Sequence, residues 1–306
     1  SDVGHEEISL AVMQNLNNHF GEQLENAIHI FKGTYPRAFF HQLVSGQLDV
    51  DRLDYLTRDS FFTGVSEGVI GTERIIKMMN VCNNNLVIEE KGIYSIEKFL
   101  ISRQLMYWQV YLHKTVISAE ILLIKVLKRA HQLCTSGENI QCAPALEPFL
   151  RKKISKTDFL SSTEYIHAFC TLDDFDIISS IKEWMKHKDL VLSDLSKRII
   201  HRKLFRTLML DKLPDKNKLK DISKQTSKLL GISEEDTAYY LHWGKIKAQA
   251  YDPQHNPIKI FYRNGETKDV KEASTTINLG LISGQKTKYY LTFPKEAESI
   301  IRNIIQ

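Results

Sequence analysis

A mainly α-helical chain with a smaller α+β C-terminal part is the fold class that this sequence predicts. Three observations point there. Apolar residues recur every three to four positions through the first two-thirds of the chain. The stretch from Ile101 to Leu133 contains no Gly or Pro and reads as one long uninterrupted helix. From about Arg202 onward, short strand-like runs and an Asn-Gly turn replace the helical pattern.

Taken in order, EEISLAVMQNLNNHF spaces Ile8, Val12, Leu16 and Phe20 four apart, and GEQLENAIHIF continues the pattern with Leu24, Ile28 and Phe31. Pro36 suits a helix start before RAFFHQLVSG, and Gly46 suits its end. After residues 47–60 comes a turn at Thr63–Gly64, then a helix over 72–79. NVCNNNLVIEEKGIYSI combines Asn turns with short alternating runs, which predicts a small hairpin. Beyond the helical pattern, CTSGENIQCAPALE is a polar loop, and DDFDIISSIKEWMKH and LVLSDLSKRII return to helix. KLFRTLML and KTKYYLTF read as strands, KNKLKDISKQTSKLLG as a helix ended by Gly231, and Asn264–Gly265 as a hairpin turn. The expected organisation is a helical domain over 1–133, a helical extension over 134–201 and an α+β region over 202–306.

With 306 residues, the chain can bury one large core or several smaller ones. Its net charge of +4 is the difference between 41 basic and 37 acidic residues, so charge gives no argument for a nucleic-acid or membrane partner. The four cysteines, at 82, 134, 142 and 170, form no CxxC pair, which argues against a disulfide framework or thiolate zinc site and fits a reducing cytoplasm. The richest apolar run, SAEILLIKVL, is interrupted by Glu120 and Lys125 and is too short to span a bilayer. The opening SDVGHEEISL has no signal-peptide pattern.

The window QLDVDRLDYLTRDS, residues 47–60, concentrates four aspartates among leucines. As a helix it places Asp51, Tyr55 and Asp59 on one face and pairs Asp54 with Arg58 at i, i+4. Such a face is either a solvated surface with one salt bridge or, with Arg52 beside it, a place for a metal-bound phosphate. A second stripe, Arg103, Tyr107, Tyr111 and Lys114, is either an aromatic core stripe with charged ends or a phosphate- and base-binding face. Together the stripes suggest a nucleotide cleft.

These motifs resemble those of HD-superfamily phosphohydrolases, specifically the deoxynucleoside triphosphate triphosphohydrolase group of bacterial type. DVDRLDYLTRD matches that group's D-x-D-[RK]-x-D-Y-x-x-R-D run, GHEEISL resembles its H-E-x-x-S element, and RQLMYWQVYLHKT a later helix ending in Y-x-H-K. TLDDFDI and YYLTFPK resemble further pieces, so the similarity extends along essentially the whole chain. The resemblance implies an HD-domain-like helical bundle, a divalent metal (Mn, Fe, Mg or Zn), a homo-oligomer, and conversion of a dNTP to deoxynucleoside plus triphosphate. It implies Asp51 as a metal ligand and His5 as the active-site histidine. Arg52, Tyr55, Asp59, Arg103, Tyr107, Tyr111 and Lys114 would contact the nucleotide. One departure is plain: no His-Asp dipeptide occurs. That element and the remaining metal ligands are expected upstream of this segment, and the 306-residue chain alone is expected to hold no stoichiometric metal and to hydrolyse no nucleotide. A degenerate nucleotide-binding regulatory module and a helical scaffold are the competing readings.

Overall fold

The computed structural model describes residues 3–305. The chain forms two compact units, each assembled from separate stretches: residues 1–12, 114–246 and 288–306 in the first, and 13–113 and 247–287 in the second. The sequence reading divides the chain into three consecutive blocks. The units interleave instead, because the chain leaves the second unit after His113 and returns to it at Lys247. Among the described residues no helix is long and apolar enough to cross a membrane.

Helices dominate, and seven strands form two small sheets among the described residues: β1 (Met79–Cys82), β2 (Asn85–Glu89), β3 (Arg206–Leu210), β4 (His242–Ala248), β5 (Lys259–Phe261), β6 (Thr267–Asp269) and β7 (Lys286–Phe293). The order β1-β2-β5-β6 makes one sheet and β3-β7-β4 the other. Both sequence-predicted hairpins are present. Asn83 and Asn84 carry φ of 47° and 64°, the left-handed pair that a two-residue hairpin loop requires, and Gly265 carries φ 87° between β5 and β6. Between them, β2 and β5 pair in parallel, so residues about 170 apart in sequence close one sheet.

In the second unit the helix Ile93–Met106 is buried almost all round, with Ile96, Phe99, Leu100 and Met106 fully inaccessible. Leu53 and Leu56 of the helix Val50–Thr63, Ile75, Ile88, Tyr251 and Ile260 complete the same core. The first unit packs the helix Lys114–Thr135 with Trp184, Leu192 and Leu195 around a separate core. There Arg129 makes a two-pronged ion pair with Asp189 (3.0 and 2.6 Å) and reaches Asp236 at 3.2 Å.

The long helix expected over 101–133 is broken. It ends at Met106, widens into a π turn over Tyr107–Tyr111 closed by Leu112 N donating to the Tyr107 carbonyl at 2.7 Å, and resumes as a new helix at Lys114. Two tyrosines, a tryptophan and a valine within five residues lose side-chain freedom against the preceding turn, which weakens the α register there. Periodicity alone does not reveal this.

Candidate phosphate-binding cluster

The acidic window becomes intelligible once each acid is placed. Asp49, 2% exposed, caps the helix Val50–Thr63: its side chain accepts from the Arg52 backbone N–H at 2.8 Å and also pairs with the Arg52 guanidinium. Asp51 stands exposed in the first turn, where the helix dipole favours a carboxylate. Asp54 pairs with Arg58 at 2.6 Å on an exposed face, as the i, i+4 spacing predicts. Asp59 accepts a hydrogen bond from the Tyr111 hydroxyl at 2.9 Å. Gly64, in the left-handed conformation, ends the helix. Four acids in one short window therefore serve four separate ends.

Facing this helix, Arg103 leaves the buried helix Ile93–Met106 and the tyrosines leave the π turn. The Arg103 guanidinium lies 5.7 Å from the Tyr107 ring centre. Tyr107 meets Tyr111 edge to face at 5.9 Å, and Tyr111 meets Tyr55 in the same way at 5.9 Å. The structure thus brings together Arg52, Tyr55, Asp59, Arg103, Tyr107 and Tyr111, with Asp51 one helical turn before Tyr55. The other two predicted residues, His5 and Lys114, belong to the first unit. His5 opens the helix His5–His19 and Lys114 opens the helix Lys114–Thr135, both exposed. Because the helix breaks before Lys114, the four-residue stripe ending at Lys114 is not one helix face, and its first three members lie in the cluster.

The electrostatics are unusual in one respect. Arg103 is 6% exposed, yet its hydrogen bonds go to neutral oxygens, Gln47 Oε1 at 3.2 Å and Tyr107 Oη at 3.4 Å. The Nε atoms of both Arg52 and Arg103 are buried without a hydrogen-bond partner. Burial pulls the Arg52 guanidinium below its ordinary pKa, and the neighbouring positive charge of Arg103 adds to that. Burial likewise pushes the Tyr55 and Tyr111 phenols up, and for Tyr111 the hydrogen bond to Asp59 pushes further in the same direction. These phenols are neutral donors at physiological pH. Arg52 is already paired with Asp49 and its side chain is 29% exposed, so the uncompensated buried charge is that of Arg103, and a bound anion would remove its cost.

Among the described residues there is no group of three or more His, Cys, Asp or Glu side chains able to hold an ion. Asp51 is a single carboxylate, and these residues do not amount to a metal centre of their own.

Sequence reasoning missed Gln47, Gly46 and Asp49 as part of this cluster. Asp49 carried a readable signal, an acid directly before an apolar-periodic run. Gln47 carried none.

Residues 70–143, which include Arg103 and the π turn, match the family described as HD associated region. A solved structure of a phosphohydrolase from Bacteroides thetaiotaomicron is 46% identical, with a TM-score of 0.91 over 96% of this chain and 73% of that one. The chain belongs to the HD superfamily of phosphohydrolases. The uncharacterized protein YwfO of Bacillus subtilis is 31% identical over 281 residues, 89% of this chain and 61% of that protein. The chain therefore spans about three-fifths of that relative's length. A Dictyostelium discoideum protein named deoxynucleoside triphosphate triphosphohydrolase SAMHD1 homolog is 24% identical over 149 residues, 45% of this chain and 29% of that protein.

Proposed function

We propose that this HD-superfamily chain supplies the phosphate and sugar grip of a nucleotide phosphohydrolase, and that the nucleotide is a dNTP cleaved to deoxynucleoside and triphosphate. The observation that carries the reading is the buried Arg103 beside Arg52, each with an idle Nε–H and Arg103 held only by neutral acceptors. A guanidinium held only by neutral acceptors keeps its full charge for phosphate oxygens. Tyr55, Tyr107 and Tyr111 offer aromatic faces and neutral hydroxyls for the sugar and base. Asp59 fixes the Tyr111 hydroxyl by accepting its hydrogen bond.

In this reading Arg52 and Arg103 bind the negative oxygens of the phosphate chain and stabilise the charge that develops as the phosphate–sugar bond breaks. The tyrosines exclude water from one side of the sugar. Asp51, His5 and Lys114 keep the roles that the resemblance implies: metal ligand, proton-handling histidine and phosphate contact. The choice of a dNTP rests on that resemblance and on the name of the Dictyostelium relative. In the whole protein the partner is thus the nucleotide, with a divalent metal as cofactor and self-association as a homo-oligomer.

The test is ³¹P NMR of products formed by the whole protein from a panel of dNTPs and NTPs. Inorganic triphosphate released from dNTPs, lost in Arg103→Met and Asp51→Asn, is the expected result. Release of orthophosphate or pyrophosphate, or turnover unaffected by both substitutions, would contradict the proposal.

A further inference from the structure

The turn Gly46–Asp49 touches both arginines. The Gly46 carbonyl accepts from Arg52 Nη1 at 2.6 Å, and Gln47 Oε1 accepts from Arg103 Nη1 at 3.2 Å. The orientation of the Gln47 amide is settled by its other end: Nε2 donates to the backbone carbonyls of Asp252 at 3.1 Å and His255 at 3.0 Å. A flipped amide would set its oxygen against two carbonyls and its NH₂ against a guanidinium, with no hydrogen bond left on either side. Gln47 is therefore locked with its oxygen toward Arg103.

The chemistry of that oxygen matters more than its position. A carboxylate there would form an internal ion pair with Arg103 and compete with any bound anion. An amide oxygen offers a hydrogen bond without a counter-charge. The second acceptor, the Tyr107 hydroxyl, is neutral for the same purpose. We propose that Gln47 is a positioning residue that aims the Arg103 guanidinium and, by being uncharged, leaves its full charge to a bound phosphate. The proposal rests on the phosphate-binding reading above and adds a residue to it. Gln47 also fastens the loop Asp252–His255, which precedes β5, to the same guanidinium, so one amide holds two distant segments of the second unit at the site.

The test uses the full chain as wild type, Gln47→Glu, Gln47→Met and Arg103→Met, titrated with inorganic triphosphate by calorimetry at several salt concentrations. Circular dichroism at the same temperature identifies the folded variants. Gln47→Glu is expected to weaken binding about tenfold or more, since it pairs the charge that the ligand needs. It also flattens the salt dependence of binding, because the site has lost a net positive charge. Gln47→Met removes the hydrogen bond but adds no charge, so binding falls about threefold and the salt dependence stays as in wild type. A tether without an electrostatic role would make Glu and Met equivalent and leave the salt dependence of both unchanged, which would overturn the proposal. Should Gln47→Glu not fold, folded Gln47→Met binding with wild-type affinity overturns it equally. If Arg103→Met abolishes binding and Gln47→Glu does not, the phosphate reading stands and Gln47 has no part in it. No binding by wild type defeats both.

Discussion

Arg103→Met is expected to make the ligand-free chain more stable and the ligand-bound state weaker. Methionine keeps the length of the stem and removes the charge. The losses are two hydrogen bonds to neutral oxygens, long at 3.2 and 3.4 Å, at about 1 kcal/mol each. The cation–π contact with Tyr107 at 5.7 Å adds about 0.5–1 kcal/mol. Against these stands the burial of a charge that is 6% exposed, with an unpartnered Nε and a second guanidinium nearby, a penalty of several kcal/mol. The net is a gain of about 1–2 kcal/mol. With a urea m-value of about 3 kcal/mol per molar, the unfolding midpoint rises by about 0.5 M. In the same protein triphosphate binding falls about 10- to 100-fold, the loss of a charge-assisted pair worth about 1.5–3 kcal/mol. Urea unfolding followed by circular dichroism, beside calorimetric titration, measures both. A variant that is less stable yet binds triphosphate normally would refute the reasoning, because Arg103 would then be structural.

Three other outcomes follow from the structure. Arg129→Met strands the mostly buried carboxylate of Asp189, so unfolding free energy should drop about 3–5 kcal/mol, and a loss below about 1 kcal/mol in urea unfolding would contradict it. Gly68→Ala places a Cβ 2.6 Å from Met106 Sδ and 2.8 Å from Ser60 Cβ. Overpacking of that kind costs about 1–3 kcal/mol, and an unchanged thermal midpoint would show that Met106 moves aside freely. Burial raises the phenols of Tyr55, Tyr111, Tyr240 and Tyr251. Their stabilising effect is therefore complete below the unfolded value of about 10 and is lost as pH rises through the folded values. Stability measured from pH 8 to 11 should be flat at first and fall above about pH 10, and a rise there would contradict the burial.

Local chemistry explains what was legible in the sequence. Asn83–Asn84 and Asn264–Gly265 announce their turns because few residues tolerate left-handed backbone, and Gly231 ends its helix for the same reason. The face carrying Asp51, Tyr55 and Asp59 was readable because helical period fixes it. What was not legible depends on distant or cooperative contacts. The parallel pairing of β2 with β5 joins segments about 170 residues apart, and nothing in either strand names its partner. The alternation in HWGKIKA, which forms β4, is interrupted by Gly244 and gives only a weak strand signal. The π turn at Tyr107–Tyr111 preserves the four-residue spacing of aromatics while ending the helix, so the pattern predicted Lys114 on a face it does not share. Gln47 looks like any polar turn residue, and only its bonds to Asp252, His255 and Arg103 give it meaning.

The central claim is that the idle guanidinium donors of Arg52 and Arg103 await phosphate oxygens. Its most direct test is a ¹H–¹⁵N spectrum of the chain labelled at arginine Nε, titrated with dATP and with inorganic triphosphate. The Nε–H signals of Arg52 and Arg103, assigned through Arg52→Met and Arg103→Met, should shift together and saturably with both ligands. If both signals stay fixed while other arginine signals respond, nucleotides bind elsewhere and the account is wrong.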